Sequence, residues 1–337
     1  MGIQDLTKSI KKHSPDAIKS MKPQDIEGTI YGVDVYSYLY PAKYNPSAKG
    51  KGHHIRFFFD LIVTWRQAGK QLLMVFDGDT RNVTAKMDTV AKRQEIRQQQ
   101  KDIITEMTER LESGIATEKD LEDLEKATRN NIKINESDLD DLKRLFAYLH
   151  IPYYMAVGEA DCLLATMYQT GKIHGVISED SDMLTHGVGM VMRGLIDATN
   201  RTAGVVNVYN LNNILTGFNM TMSQFVDFCI LSGCDYCPRI PGVGPAGAFK
   251  HIHSGGTPLT FKIESTYEEK YREAVRMFTC HTDTHDPVAM EQHVDMDIKA
   301  WLLENTNITE KTVDEKLRVF NDPVAPVKRK PLILAKK

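Results

Sequence analysis

Several apolar runs in this chain stop at an acid, and that pattern limits the fold more than any other feature. "TIYGVDVYSYL" (29–39) contains Asp34, "KQLLMVFDG" (70–78) runs into Asp77, and "IHGVIS" (173–178) is followed by Glu179, Asp180 and Asp182. Their β-branched and aromatic content predicts strands, and "GMVMRGLI" (189–196) and "GVVNVYN" (204–210) predict two more. Between the runs lie amphipathic stretches of helical period: "HHIRFFFDLIVTWRQAG" (53–69), "SDLDDLKRLFAYLH" (137–150) and "GEADCLLATMYQTG" (158–171). Strands alternating with helices predict an α/β fold, a mostly parallel central sheet flanked by helices on both faces. Such sheets gather their functional groups at the carboxyl ends of the strands.

Two segments depart from this rhythm. Residues 84–135 are rich in strong helix formers and poor in apolar positions, which predicts a helical hairpin projecting from the sheet. After 210 the chain reads as mostly helical, and "PRIPGVGPAGAFKHI" places G-x-G-P between two helical stretches. Glycines there expose backbone N–H groups beside a helix start, a suitable grip on phosphate.

Length and composition exclude some classes. At 337 residues the chain has room for two domains, or for one α/β core with a helical module. No apolar run approaches the ~20 residues of a membrane span, and "MGIQDLTKSIKKHSPD" lacks the apolar core of a secretory signal. Leu6 stands where a myristoylation pattern needs Ser or Thr. Five scattered cysteines suit a reducing compartment; the CxxC of "GCDYC" has no second pair at zinc spacing and reads as buried thiols. The net charge of −3 decides nothing about nucleic acid, but basic residues recur through 86–133 and in the tail "PVKRKPLILAKK".

The acids at strand outlets and helix starts are Asp34, Asp77, Glu159, Asp161, Asp180, Asp182 and Asp235. Any one of them is explained as a cap or a turn residue. Seven brought to one edge of a sheet would repel one another strongly unless a cation lay among them. Oxygen-only ligands select Mg²⁺ or Mn²⁺ over zinc, and a site this acidic has capacity for two ions ~3.5–4 Å apart, the arrangement that clamps a phosphoryl displacement.

The motifs together resemble the flap endonucleases, structure-specific 5′-nucleases with exonuclease and excision-repair branches. "MGIQDL", "GVDVYSYLY", "VFDG", "IPYYMAVGEAD", "SEDSDMLTHG" and "FCILSGCDYCPRIPGVGP" follow in the family's order, and the resemblance runs from Met1 to about Phe320. It implies a PIN-like nuclease core at 1–83 and 136–234, a helical arch at 84–135, a helix–two-turn–helix and C-terminal helices at 235–320, and a basic, disordered tail at 321–337. The seven acids fall on the family's metal ligands for two Mg²⁺ ions, with Mn²⁺ able to substitute; Asp161 replaces the Glu common there, a shorter arm. Lys86 and Arg93 keep the Lys-x6-Arg spacing of the catalytic cations at the arch base, with two extra residues between Asp77 and Lys86. Tyr40 matches an aromatic on which a base beside the cut stacks, and Arg97 and Lys133 match basic positions along the 5′ strand. Gly242 and Gly244 match the turn that holds the duplex backbone through a K⁺ ion, with φ above zero expected there.

The resemblance implies a monomeric 5′ flap endonuclease with 5′–3′ exonuclease activity on branched or flapped DNA, acting in replication or repair, nuclear, or cytoplasmic in a virus or prokaryote. The tail shows no sliding-clamp motif, and Leu61 stands where many relatives carry an Arg near the downstream 3′-end pocket, which weakens a strict double-flap preference. A processive exonuclease, a junction-resolving nuclease and a non-cleaving branched-DNA-binding protein stay open as alternatives.

Overall fold

The computed structural model describes residues 2–43, 51–78, 87–131, 133–261, 265–279 and 297–320. Its seven strands are β1 (Ile18–Met21), β2 (Ile30–Asp34), β3 (Gln71–Phe76), β4 (Tyr153–Met155), β5 (Gly175–Ile177), β6 (Met190–Arg193) and β7 (Val206–Asn210). They form one sheet in the order β1-β7-β6-β5-β2-β3-β4. β4, β3, β2, β5 and β6 run parallel, whereas β7 is antiparallel to both β6 and β1. The expected mostly parallel sheet is therefore present, with an antiparallel margin.

The helices are α1 (Leu6–His13), α2 (Val35–Lys43), α3 (His53–Gln67), α4 (Met87–Glu112), α5 (Glu118–Asn130), α6 (Glu136–Tyr148), α7 (Ala160–Gln169) and α8 (Asp182–Thr185). They continue with α9 (Ala198–Ala203), α10 (Leu211–Phe218), α11 (Met222–Ser232), α12 (Pro245–His253), α13 (Ser265–Thr279), α14 (Ile298–Asn305) and α15 (Glu310–Leu317). The period-2 alternation of a strand splits the buried side chains between two cores. Tyr31, Val33, Leu72, Met74, Phe76, Ile177 and Met192 pack with α2, α3, α6, α14 and α15. Val75, Val176 and Val191 pack with α1, α7 and α10 to α13. Strands buried on both faces explain the near-continuous apolar runs in the sequence.

The run 29–39 is not one strand. β2 ends at Asp34, and Val35–Lys43 is helical. Aromatic and β-branched residues there suggest extended chain, but Val35, Tyr38, Leu39 and Ala42 are the buried apolar positions, a helical spacing that seats α2 on the core. The run 189–196 likewise yields a shorter strand that stops at Arg193. β1 and β4, of four and three residues, were too short to register as runs.

The polar stretch does form a helical hairpin. α4 is 26 residues long and packs along α5, with Met107 and Ala127 buried between them. A capping box starts α5: Thr117 N–H donates to Asp120 Oδ2 at 2.7 Å, and Asp120 N–H donates to Thr117 Oγ1 at 3.3 Å. Arg110 of α4 pairs with the same Asp120 at 3.2 Å.

Gly32 lets α7 lie close to the central strand, since a Cβ there would stand 2.4 Å from Leu164 Cδ2 and 2.8 Å from Ile173 Cδ1. Gly32→Ala is expected to cost about 1–3 kcal/mol through overpacking. A urea titration checks it, and an unchanged midpoint would contradict this packing.

Candidate active site

The parallel strands deliver their acids to one edge. Asp34 is the last residue of β2, Asp77 follows β3, Glu159 and Asp161 open α7 after β4, and Asp180 lies just past β5. Asp34 is level with Val75, so Asp34 and Asp77 occupy neighbouring strand ends. Asp182 begins α8, and Asp235 follows α11.

Hydrogen bonds hold these carboxylates in place. Asp34, 6% exposed, accepts from Ser37 N–H at 3.2 Å and from Ser178 Oγ at 2.9 Å. The same Ser178 Oγ accepts Asp180 N–H at 3.0 Å, which ties the two acid loops together. Asp77 Oδ1 accepts Ala160 N–H at 2.8 Å, a carboxylate at the positive end of α7. Next to it, Gly78 N–H donates to Gly158 O at 2.8 Å, an approach that a side chain would forbid because its Cβ would meet Ala156 O at 1.8 Å. Asp180 Oδ1 accepts Asp182 N–H at 2.9 Å, and Glu159 Oε2 accepts the Tyr236 hydroxyl at 2.5 Å.

The electrostatics define two adjoining groups. Burial pushes the Asp34 carboxyl up to about 7, with Asp77 and then Asp180 adding repulsion. Burial also raises the Tyr236 hydroxyl, and Glu159, Asp161 and Asp182 raise it further. Among the described residues, no three His, Cys, Asp or Glu side chains close on one point at metal-bonding distance; four of the acids direct oxygens to protein donors instead. The donor set is all oxygen, crowded and like-charged, which fits a hard cation.

Glu179 belongs to a different structure. Its Oε1 accepts Gly194 N–H at 2.7 Å and Leu195 N–H at 3.0 Å, while its carbonyl accepts from Arg193 Nη2 at 2.7 Å. This carboxylate ties the loop after β5 to the end of β6, so of the three consecutive-looking acids only Asp180 and Asp182 face the site.

Tyr40 is 37% exposed on α2, so it is not a core tyrosine. One turn earlier, Tyr36 is half-buried, and burial followed by Asp77 and Tyr40 pushes its hydroxyl up to about 12. Arg93 and Arg97 fall in α4, whereas Lys86 and the tail 321–337 lie outside the described residues. Lys133 is exposed, and its carbonyl accepts from Lys43 Nζ at 2.8 Å; Lys43 also pairs with Asp138 at 2.5 Å, which fastens the exit of the hairpin to the end of α2. Gly242 has φ +79°, but Gly244 has φ −108° as N-cap of α12, so the left-handed turn is at Gly242 alone. Both present open space where a Cβ would stand. Leu61 is buried among the α3 core residues rather than lining an outer pocket. Cys229, Cys234 and Cys237 are free thiols, Cys229 and Cys237 buried and Cys234 half-buried, all raised chiefly by burial.

The sequence reading missed four contributors. Ser178, Arg193 and Tyr236 act through hydrogen bonds to partners 14 to 144 residues away, which no local pattern announces. The fourth is Gly2, at φ +91°: a Cβ there would stand 2.2 Å from Asp180 Oδ1 and 2.4 Å from Ser181 Oγ. Ile3 N–H donates to Ser181 Oγ at 2.9 Å, so the amino-terminal segment packs directly against the acid loop.

Comparison with known proteins follows the same line. The XPG N-terminal domain family matches residues 1–100, and the XPG I-region family matches residues 150–235. "Flap endonuclease 1" of Glycine max is 31% identical over 317 residues, covering 89% of this chain and 78% of the relative. "Flap endonuclease 1-B" of Physcomitrium patens is 30% identical over 282 residues, covering 81% and 77%. Among solved structures, the catalytic core of Rad2 in complex with DNA substrate matches with a TM-score of 0.67 at 16% identity, covering 95% of this chain and 100% of that one. Flap endonuclease-1 from Methanococcus jannaschii matches with a TM-score of 0.66 at 18% identity, covering 95% and 98%. The two structures share this fold.

Crowding at Asp34 has a measurable sign. Its pKa is raised in the folded chain, so its contribution to stability is fully present below the ordinary Asp range and is lost as pH rises through about 7. In EDTA, Asp34→Asn is expected to be more stable than wild type by about 1–3 kcal/mol at pH 8, with the gap closing toward pH 4. Denaturation curves across that range check it, and a gap independent of pH would contradict the crowding.

Proposed function

The chain belongs to the flap endonuclease family of XPG-type nucleases, and on that premise we propose how its residues divide the work of cutting. It is a structure-specific flap endonuclease, a nuclease hydrolase serving DNA replication and repair. The observation that carries the catalytic reading is that Asp34, Asp77 and Asp180 arrive at one edge of the parallel sheet, where Ser178 bonds both Asp34 and the backbone of Asp180.

Asp34, Asp77, Glu159, Asp161, Asp180, Asp182 and Asp235 would hold two Mg²⁺ ions, with Mn²⁺ as a substitute. When bound, such ions would supply easier deprotonation of water and charge stabilisation at the leaving oxygen. Lys86 and Arg93 offset charge that develops on the phosphoryl oxygens. Hydrolysis leaves a 5′-phosphate and a 3′-hydroxyl. Tyr40, exposed on α2, offers a ring for the base beside the cut. The α4–α5 hairpin serves as the arch for the 5′ strand, with Arg97 in α4 and Lys133 just past α5 as basic positions along its path. Gly242 and Gly244 would admit the duplex backbone to the start of α12, where a K⁺ ion held there would neutralise phosphate charge. Specificity then comes from duplex shape and a free 5′ end rather than from base edges. At a nick the same site would act as a 5′–3′ exonuclease. We assign the enzyme to the nucleus as a monomer, with no clamp-docking motif in its tail.

A panel of labelled 5′ flap, nicked duplex and four-way junction with Mg²⁺ tests this reading. The flap is expected to be cut fastest; preference for the junction would overturn it. Asp180→Ala should abolish cleavage while largely sparing DNA binding, and near-wild-type turnover at saturating Mg²⁺ would remove Asp180 from the ligand set.

Arg93→Ala separates catalysis from bulk electrostatics. Single-turnover cleavage is expected to fall by about 10²-fold or more, with a much smaller loss in duplex affinity. A loss confined to affinity, with a flatter salt dependence, would make Arg93 a phosphate contact only.

A further inference from the structure

Tyr236 follows Asp235 in the segment between α11 and α12, and only 2% of its surface is exposed. A ring contact and a hydrogen bond help to fix it. Its ring meets Phe278 of α13 edge-on, with centroids 5.1 Å apart at 85°, and Phe278 is itself 1% exposed. Its hydroxyl donates to Glu159 Oε2 at 2.5 Å, across 77 residues of sequence. Glu159 stands at the N-cap of α7 but makes no capping bond with its own side chain. Glutamate has more rotamer freedom than the aspartates around it, so it has the most to gain from an external anchor.

We propose that Tyr236 is a positioning residue for metal binding: its hydroxyl holds one oxygen of Glu159 and thereby orients the other toward the shared acidic centre. The inference rests on the metal-site reading above. Charged hydrogen bonds of this length are strong, and outer partners that orient a ligand influence metal affinity almost as much as the ligands do. The ring packing against Phe278 extends this anchor into the C-terminal helices, so α13 helps to set the geometry of an acid on α7.

Tyr236→Phe removes the hydroxyl and keeps the ring. The full chain, without DNA, is titrated with Mn²⁺ while free ion is followed by electron paramagnetic resonance. The variant is expected to bind Mn²⁺ about 10–100-fold more weakly, to melt in EDTA within about 3 °C of wild type, and to recover single-turnover flap cleavage at saturating Mn²⁺. In a Glu159→Ala background the same change should cost nothing further, because its route to the metal is gone. Unchanged Mn²⁺ affinity, or an equal additional loss in the Glu159→Ala background, would overturn the role of Tyr236. A wild-type chain that binds no Mn²⁺ would overturn the metal reading itself.

Discussion

Repulsion among carboxylates gathered at one end of a parallel sheet is the constraint on which the rest of this structure depends. Folding brings Asp34 and Asp77 to adjacent strand ends and then buries Asp34 against Ser178. Burying a charge beside like charges is unfavourable, and the raised carboxyl of Asp34 registers that cost. The surrounding structure offsets it locally. Ser37, Ser178, the start of α7 and the Asp182 N–H each supply a donor to one of the acids. A core packed on both faces of the sheet holds the strand ends together against the repulsion.

Within this arrangement, position in the loop after β5 separates the acids that face the strand edge from those that brace the fold. Glu179 and Asp180 are neighbours in sequence, yet the former spends its carboxylate on the backbone of the turn after β6. The latter sits against Asp182, Ser178 and the backbone of Gly2. Their partners, not their composition, sort them.

Much of this was legible in sequence because its causes are local. Strand outlets ending in Asp, amphipathic helices and a polar hairpin are each written in contiguous residues. The misreading at 29–39 had a physical source: Val35, Tyr36 and Tyr38 favour extended chain, but burial of one helical face outweighed propensity. Once that segment is helical, Tyr36 and Tyr40 stand one turn apart and within reach of each other, whereas a strand would hold them about 13 Å apart. What stayed hidden is non-local. The Tyr236–Glu159 bond, the double use of Ser178 and the fit of Gly2 against Asp180 join segments that only the fold brings together.

A net charge of −3 with an acidic centre makes DNA binding a question of placement rather than of total charge. Phosphate must reach carboxylates that repel it, so attraction has to act elsewhere on the surface first. The proposed candidates lie on other elements than the acids: the Gly242 turn before α12 and the α4–α5 hairpin. Lys43 ties the hairpin's exit to α2, the helix that displays Tyr40 and starts right after Asp34. A substrate held by the proposed arch would therefore pull on the helix that starts right after Asp34. In that connection the proposed grip and the proposed chemistry share one mechanical element.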